Sequence, residues 1–318
     1  MEMIVRYGQI VNYEHRDIIL AQGKIGHGLL VILRGKTMVT VKLLSRGEIE
    51  LADLVEGQFF GEVNLLENAA CTATVRSIRK ASCFLLQTSV FDMLHIAFPM
   101  IHYQINRALI ENVLLRQAHL VKEIKMLSKK SHRHVVHLSA KKVSSVAAKK
   151  IALSPAEKRK RFAYLGALPI FNSVLNEDEM AYFVSMTQLI DVQHHHTFVS
   201  QRDQAASYFF ILKGSMTIGI PTTKGTIKFA VFGPNSLLCS TSFFDQQSSL
   251  FTYETRGSAS LLVLSQEALL LIKKRHSSLW YKLHDLGCRY IVSLQKRLNT
   301  QVVRASSETP ESKINLST

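Results

Sequence analysis

Two stretches of this chain, about 180 residues apart, carry the same succession of short apolar runs, turn residues and a closing helical pattern. That repetition limits the fold more than any other feature. In the first stretch Ile18–Ala21 is closed by Gln22-Gly23, and Leu29–Leu33 ends at Gly35. Thr37–Leu44 alternates Met38, Thr40 and Lys42 with Val39, Val41 and Leu43, the period of a half-buried strand. Ser45–Glu48 reads as a turn, Ile49–Leu54 as the returning strand, and Thr72–Ile78 and Ser82–Leu86 as two more. Strands so short and so evenly spaced predict a small antiparallel barrel or jelly roll. From Val90 the spacing becomes helical, with Ile105, Leu109 and Val113 followed by Leu120, Ile124 and Leu127, and Pro99 separates a short helix from a long one.

The second stretch runs in parallel. Tyr208–Leu212 then Gly214 repeats Leu29–Leu33 then Gly35; Met216–Ile220 and Ile227–Phe232 are the next strand pair. Leu261–Leu264 precedes helices at Gln266–Lys274 and Leu279 to about Arg304, and a helical lead-in is expected over Tyr164–Phe171 and Asn176–Ile190. Gly35 and Gly214 lie 179 residues apart, and Leu66 and Phe244 lie 178 apart, the signature of an internal duplication. The expected fold class is α+β, mostly β with flanking helices: two tandem antiparallel barrel or jelly-roll domains, each followed by helices. A length of 318 residues suits two domains. The boundaries read as 1–127 and 162–304, joined by a linker at 128–161 and followed by a disordered tail at 305–318.

Net charge is +15, and it is regional. Residues 122–161 hold 13 Lys/Arg against Glu123 and Glu157, a net of +11, which leaves +4 for the rest of the chain. The segment is rich in Ser, Ala and Lys, lacks a sustained apolar period, and is broken at Ser154-Pro155, so it reads as an exposed, partly disordered linker. It is a solvated spacer, a contact for an acidic partner or anionic lipid, or at Lys158–Arg161 a nuclear-import signal. No aromatic residue interleaves these lysines, which argues against nucleic acid. Cys71, Cys83, Cys239 and Cys288 form no CxxC pair, which excludes a disulfide scaffold and suits a reducing compartment such as the cytoplasm. No run of 18 apolar residues offers a membrane span.

The most informative stretch is GQFFGEVNLLENAACTATVRS, Gly57 to Ser77. Gly61 permits a positive φ or a close backbone approach. Glu62 follows it, Val63–Leu66 can form a helical turn, and Thr72 offers a hydroxyl. A carboxylate for sugar hydroxyls, with amides and a hydroxyl for a phosphate, makes a cyclic-nucleotide pocket.

Phe60-Gly61-Glu62, Leu65-Leu66 and Thr72-Ala73-Thr74-Val75, preceded by the turn glycines Gly23 and Gly35, resemble the phosphate-binding cassette of cyclic-nucleotide-binding domains. That family includes kinase regulatory subunits, nucleotide-gated channels and catabolite activator proteins. The resemblance covers about residues 7–127. It implies that Glu62 accepts from the ribose 2′-hydroxyl, that the Gly61 backbone and the Thr72 hydroxyl and amide face the cyclic phosphate, that Ala73 packs behind, and that the helix after Pro99 is a lid. The expected ligand is cAMP or cGMP. The family's phosphate-pairing arginine falls at Cys71, where a thiol is neutral and a weak donor. Losing a charge-assisted hydrogen bond implies roughly 10- to 150-fold weaker binding. Arg76 lies five residues on, with the wrong strand parity for rescue. The chain also begins almost at the family's first strand, so the first domain reads as having its N-terminal helices missing or truncated: a fragment, an alternative start, or a domain without them.

The duplicated cassette reads Leu238-Cys239-Ser240 and Ser249-Leu250-Phe251, with neither carboxylate nor arginine and with a bulky residue where a small one belongs. His194-His195-His196 has no supporting acid in the sequence and reads as an exposed strand end, so no metal site is expected. No nucleophile elbow, P-loop, zinc-binding HExxH or paired carboxylate appears, and no catalytic residue or enzymatic cofactor is expected. Two functional readings stand: a non-enzymatic regulatory sensor whose first domain binds cyclic nucleotide weakly, and a scaffold in which both pockets have lapsed.

Overall fold

The computed structural model describes residues 6–43, 47–67, 69–130, 149–151, 155–192, 195–200, 207–223, 225–245 and 248–307. The chain divides into two compact units, one built on residues up to Leu109 and one on Ile110–Ser306.

The first unit contains β1 (Gln9–Tyr13), β2 (Ile18–Leu20), β3 (Gly28–Arg34), β4 (Thr37–Leu43), β5 (Gly47–Leu54), β6 (Phe59–Phe60), α1 (Glu62–Glu67), β7 (Thr74–Ser77), β8 (Ala81–Gln87) and α2 (Thr88–Ala97). The helix α3 (Pro99–Lys130) begins in this unit and continues into the second. The strands form two antiparallel four-stranded sheets, ordered β1-β8-β3-β6 and β2-β7-β4-β5. Leu20, Leu54 and Val75 from one sheet and Leu30, Ile32, Phe60 and Cys83 from the other share one buried core, so the sheets pack face to face. Pro99 opens α3 at the first helical position, where its missing N–H costs nothing. The sequence thus places the break between the two helices correctly.

The second unit takes α3 from Ile110 onward, then β9 (Lys149–Ile151), α4 (Pro155–Gly166), α5 (Pro169–Asn172), α6 (Glu177–Met186), β10 (Gln188–Val192), β11 (Thr197–Val199), β12 (Tyr208–Lys213), β13 (Met216–Thr222), β14 (Gly225–Phe232), β15 (Leu237–Cys239), α7 (Ser242–Asp245), β16 (Thr252–Thr255), β17 (Ala259–Leu264), α8 (Gln266–Arg275) and α9 (Ser277–Ser307). Its sheets are ordered β15-β12-β17-β10-β9 and β11-β16-β13-β14, the order of the first unit with β9 added at one edge. The duplication extends to irregularities. Register shifts at Ile18/Leu20, Ile32/Arg34 and Val39/Thr40 recur 179 residues later at Thr197/Val199, Ile211/Lys213 and Ile218/Gly219. A bulge re-aims the side chains that follow it, so three shared bulges mean one strand path used twice.

Three local readings change. Within the expected linker, Lys149–Ile151 pairs antiparallel with β10, and Pro155 starts a helix rather than ending one. Proline is excluded from a helix interior but suits its first turn. Residues 131–148 and 152–154 of that segment lie outside the described residues. The helix expected over Asn176–Ile190 stops at Met186, and Gln188–Val192 becomes a strand, because Leu189 and Ile190 pair with Leu262 and Leu261. Finally, α9 continues through Ser307, into the expected tail.

Candidate functional site

Strand β6 delivers the chain to Gly61, with Phe59 and Phe60 paired to Val31 and Leu30 of β3. Gly61 has φ +93°, and a Cβ there would stand 2.4 Å from the Gly28 carbonyl oxygen, so the backbone passes only as glycine. Helix α1 starts at the next residue, its first turn closed by Leu65 N–H donating to the Gly61 carbonyl at 3.1 Å. Glu62 is therefore held at the head of α1, buried together with Val63, Asn64, Leu65 and Leu66.

Asn64 is the polar member of an apolar turn. Its amide nitrogen donates to the Ala69 carbonyl, and its amide oxygen accepts from the Cys71 thiol at 3.1 Å. Cys71 is buried among the core residues Leu20, Leu30, Phe60 and Val75. Burial pushes its thiol up, against a smaller downward pull from the Asn64 hydrogen bond, so the position carries no charge near neutrality. Its backbone is equally fixed: N–H donates to the Lys24 carbonyl at 2.8 Å, and the carbonyl accepts from Gly23 N–H at 2.9 Å. Gln22 N–H donates to the Thr74 hydroxyl at 3.1 Å, completing a lacing of the β2–β3 loop onto the segment that enters β7.

Thr72 and Ala73 are half-buried and continue from this anchor toward β7; among the described residues none hydrogen-bonds the Thr72 hydroxyl. Arg76 turns away from the core that Val75 enters, with Nε 3.7 Å from a carboxylate oxygen of Glu48, so it supplies no charge at Cys71. The fold thus ties Gly61, Glu62 and Cys71 into one packed corner through Asn64. Asn64 was not singled out from the sequence; its signal was an amide inside an otherwise apolar helical turn.

A family model described as the cyclic nucleotide-binding domain matches residues 10–96, from β1 to α2. The first unit of this chain carries a cyclic nucleotide-binding domain. Solved structures with a similar course include the regulatory domain of Toxoplasma gondii PKA with cAMP, 12% identical over 89% of this chain and 86% of that one, TM-score 0.35. The regulatory subunit of a cAMP-independent protein kinase A from Trypanosoma cruzi bound to guanosine is 12% identical over 93% and 83%, TM-score 0.34. A cyclic nucleotide-binding domain from Methylobacillus flagellatus is 20% identical over 49% and 88%, TM-score 0.40.

Sheet pairing fixes which residues of the second sandwich stand where the cyclic nucleotide-binding domain has Gly61 to Ala73. Leu30 pairs with Phe60 as Phe209 pairs with Leu238, and Val39 pairs with Val75 as Ile218 pairs with Tyr253. Ser240 therefore occupies the place of Glu62, and Ser249, Leu250 and Phe251 those of Cys71, Thr72 and Ala73. Here the corner is filled by protein. Phe251 is fully buried against Phe229 with ring centroids 5.0 Å apart, and the buried Tyr253 hydroxyl donates to the Cys239 carbonyl at 2.9 Å. The Ser249 hydroxyl donates to the Phe251 carbonyl at 2.9 Å, and Leu250 N–H donates to the Thr241 hydroxyl at 3.1 Å.

The histidine run changes in one respect. His194 lies outside the described residues, while His195 Nε2 stands 3.4 Å from a Glu254 carboxylate oxygen. In the sequence no acid sits at a supporting position; β16 brings Glu254 from 59 residues away by pairing it with Thr197. Burial pushes the His196 imidazole down, helped by the neighbouring His195. Among the described residues no helix is long and apolar enough to cross a membrane.

Proposed function

We propose that the chain is a non-enzymatic regulatory protein whose cyclic nucleotide-binding domain takes cAMP or cGMP weakly, and whose second sandwich is a degenerate copy that binds no nucleotide. The observation that carries this reading is the corner at Gly61-Glu62 and Thr72-Ala73. Its backbone is locked by Gly61 and the β2–β3 loop, while the arginine position holds a buried neutral thiol. Glu62 accepts from the ribose 2′-hydroxyl; the Gly61 backbone and the Thr72 hydroxyl and amide face the phosphate; Ala73 leaves room for it. Cys71 supports the cassette from behind and gives no charge to the ligand. The site therefore forgoes a bidentate guanidinium grip, for an affinity about 10- to 150-fold below that of a pocket with one.

Calorimetric titration of the whole chain with cAMP and then cGMP tests this, beside Glu62→Gln and Thr72→Val. Saturable binding by the parent that each variant weakens about tenfold is the expected result. A parent that takes up neither nucleotide at several millimolar removes the sensor reading. The second reading, a scaffold with both pockets lapsed, is favoured by the same buried Cys71 thiol. In that case the basic stretch Lys122–Arg161 meets an acidic partner, and capture of that partner depends on those residues.

A further inference from the structure

Helix α8 repeats α2 at an interval of 178 residues. Leu269 and Ile272 are buried where Phe91 and Leu94 are, and both helices end on a residue at φ −139°, His276 and Phe98, whose N–H bonds the carbonyl four residues back. The inward side is thus retained, and the outward side is rebuilt. Where α2 has Asp92, Met93, Ile96 and Ala97, α8 has Leu270, Leu271, Lys274 and Arg275. Leu270 is 58% exposed and Leu271 40%. At 100° per residue, Leu270, Leu271 and Lys274 point away from buried Ala268, Leu269 and Ile272, with Lys273 and Arg275 on the two flanks and the exposed first-turn Glu267 at the amino-terminal end of the same face. Lys273 Nζ lies 5.3 Å from the Trp280 ring centroid; among the described residues Lys274 and Arg275 enter no ion pair. Ser265 caps the helix, its hydroxyl accepting from Ala268 N–H at 3.4 Å.

We propose that this leucine ridge with its cationic flanks docks on an anionic lipid surface. The ridge is the convex side of a helix. Leucines on such a side enter the acyl boundary of a bilayer while the lysines and arginine stay at headgroup level. The cations require anionic headgroups, and a whole-chain charge of +15 adds attraction of the same sign. An acidic protein would answer the cations but would need a hollow shaped to two protruding leucines.

The test is co-sedimentation of the full chain with phosphatidylcholine vesicles, with and without phosphatidylserine, at about 0.1 M salt. Leu270→Ser/Leu271→Ser leaves the charge unchanged; Lys274→Gln/Arg275→Gln leaves the leucines unchanged. Both pairs are exposed, and the thermal midpoint checks that folding is unaffected. Binding should require phosphatidylserine, fall about 25-fold in the glutamine pair at roughly fivefold per cation, and fall at least tenfold in the serine pair. Three results would overturn the proposal. The parent binds no vesicle; or both variants retain full affinity, which would assign lipid binding to charge elsewhere; or the variants release an acidic protein while vesicle affinity is unchanged.

Discussion

At Gly61 the positive φ and the Gly28 carbonyl 2.4 Å from any Cβ act together, so one methyl group is enough to force the β6–α1 corner apart. Gly61→Ala should cost about 1–3 kcal/mol, read as a lower urea midpoint at unchanged slope. A different balance holds Glu179. Burial favours its neutral form, but Lys282 Nζ at 2.6 Å, Asn176 N–H and the Ser278 hydroxyl at 2.7 Å outweigh burial and hold the carboxyl below its usual range. A folded-state pKa below the unfolded value means stability that is complete above about pH 4.3 and is lost as pH falls through the lower folded value. Lys282→Met should therefore destabilise by about 1–3 kcal/mol at pH 7. The gap from the parent should narrow once Glu179 is protonated, which urea titrations at pH 7 and in the acid limb would show; an equal gap at both would exclude the ion pair as its source.

Among the elements, α9 shows a close approach to the second sandwich. Gly287 faces the second sandwich, where a Cβ would stand 2.3 Å from the Tyr208 hydroxyl oxygen and 2.8 Å from the Phe244 ring. Tyr208 cannot withdraw without losing the bond its hydroxyl donates to the Leu283 carbonyl at 2.7 Å, and it is 1% exposed. Gly287→Ala should overpack this contact at a cost of about 1–3 kcal/mol, despite alanine's better helix propensity. A stabilised variant in thermal unfolding would show that α9 can lift off the sheet. In the same unit Phe251, Tyr253 and Tyr208 are buried and fill the corner between the sheets with aromatic volume.

Across the whole molecule, one strand path serves two ends: an amino-terminal corner that holds the buried Glu62 and Asn64 and the half-buried Thr72, and a carboxy-terminal one sealed by aromatic rings. Hydrogen exchange should therefore show nucleotide-dependent protection over about residues 57–77 and none over 236–255; protection of the second segment would refute its assignment as a filled copy. The sequence alone determined the fold class, antiparallel sheets with flanking helices, and the repeat of that pattern, because strand alternation, turn glycines and the 179-residue offset are local or periodic signals that one chain displays in full. The family resemblance puts Cys71 at the arginine position, and strand parity turns Arg76 to the other face, where its guanidinium lies beside Glu48. Only the tertiary structure decided what surrounds them. That Asn64 binds the Cys71 thiol, that Glu254 reaches His195, that Lys149–Ile151 joins β10, and that Gly287 presses on Tyr208 are contacts between residues 7 to 79 positions apart. No residue spacing records which distant partner completes a hydrogen bond or fills a corner; burial and long-range pairing settle that when the sheets close on their core.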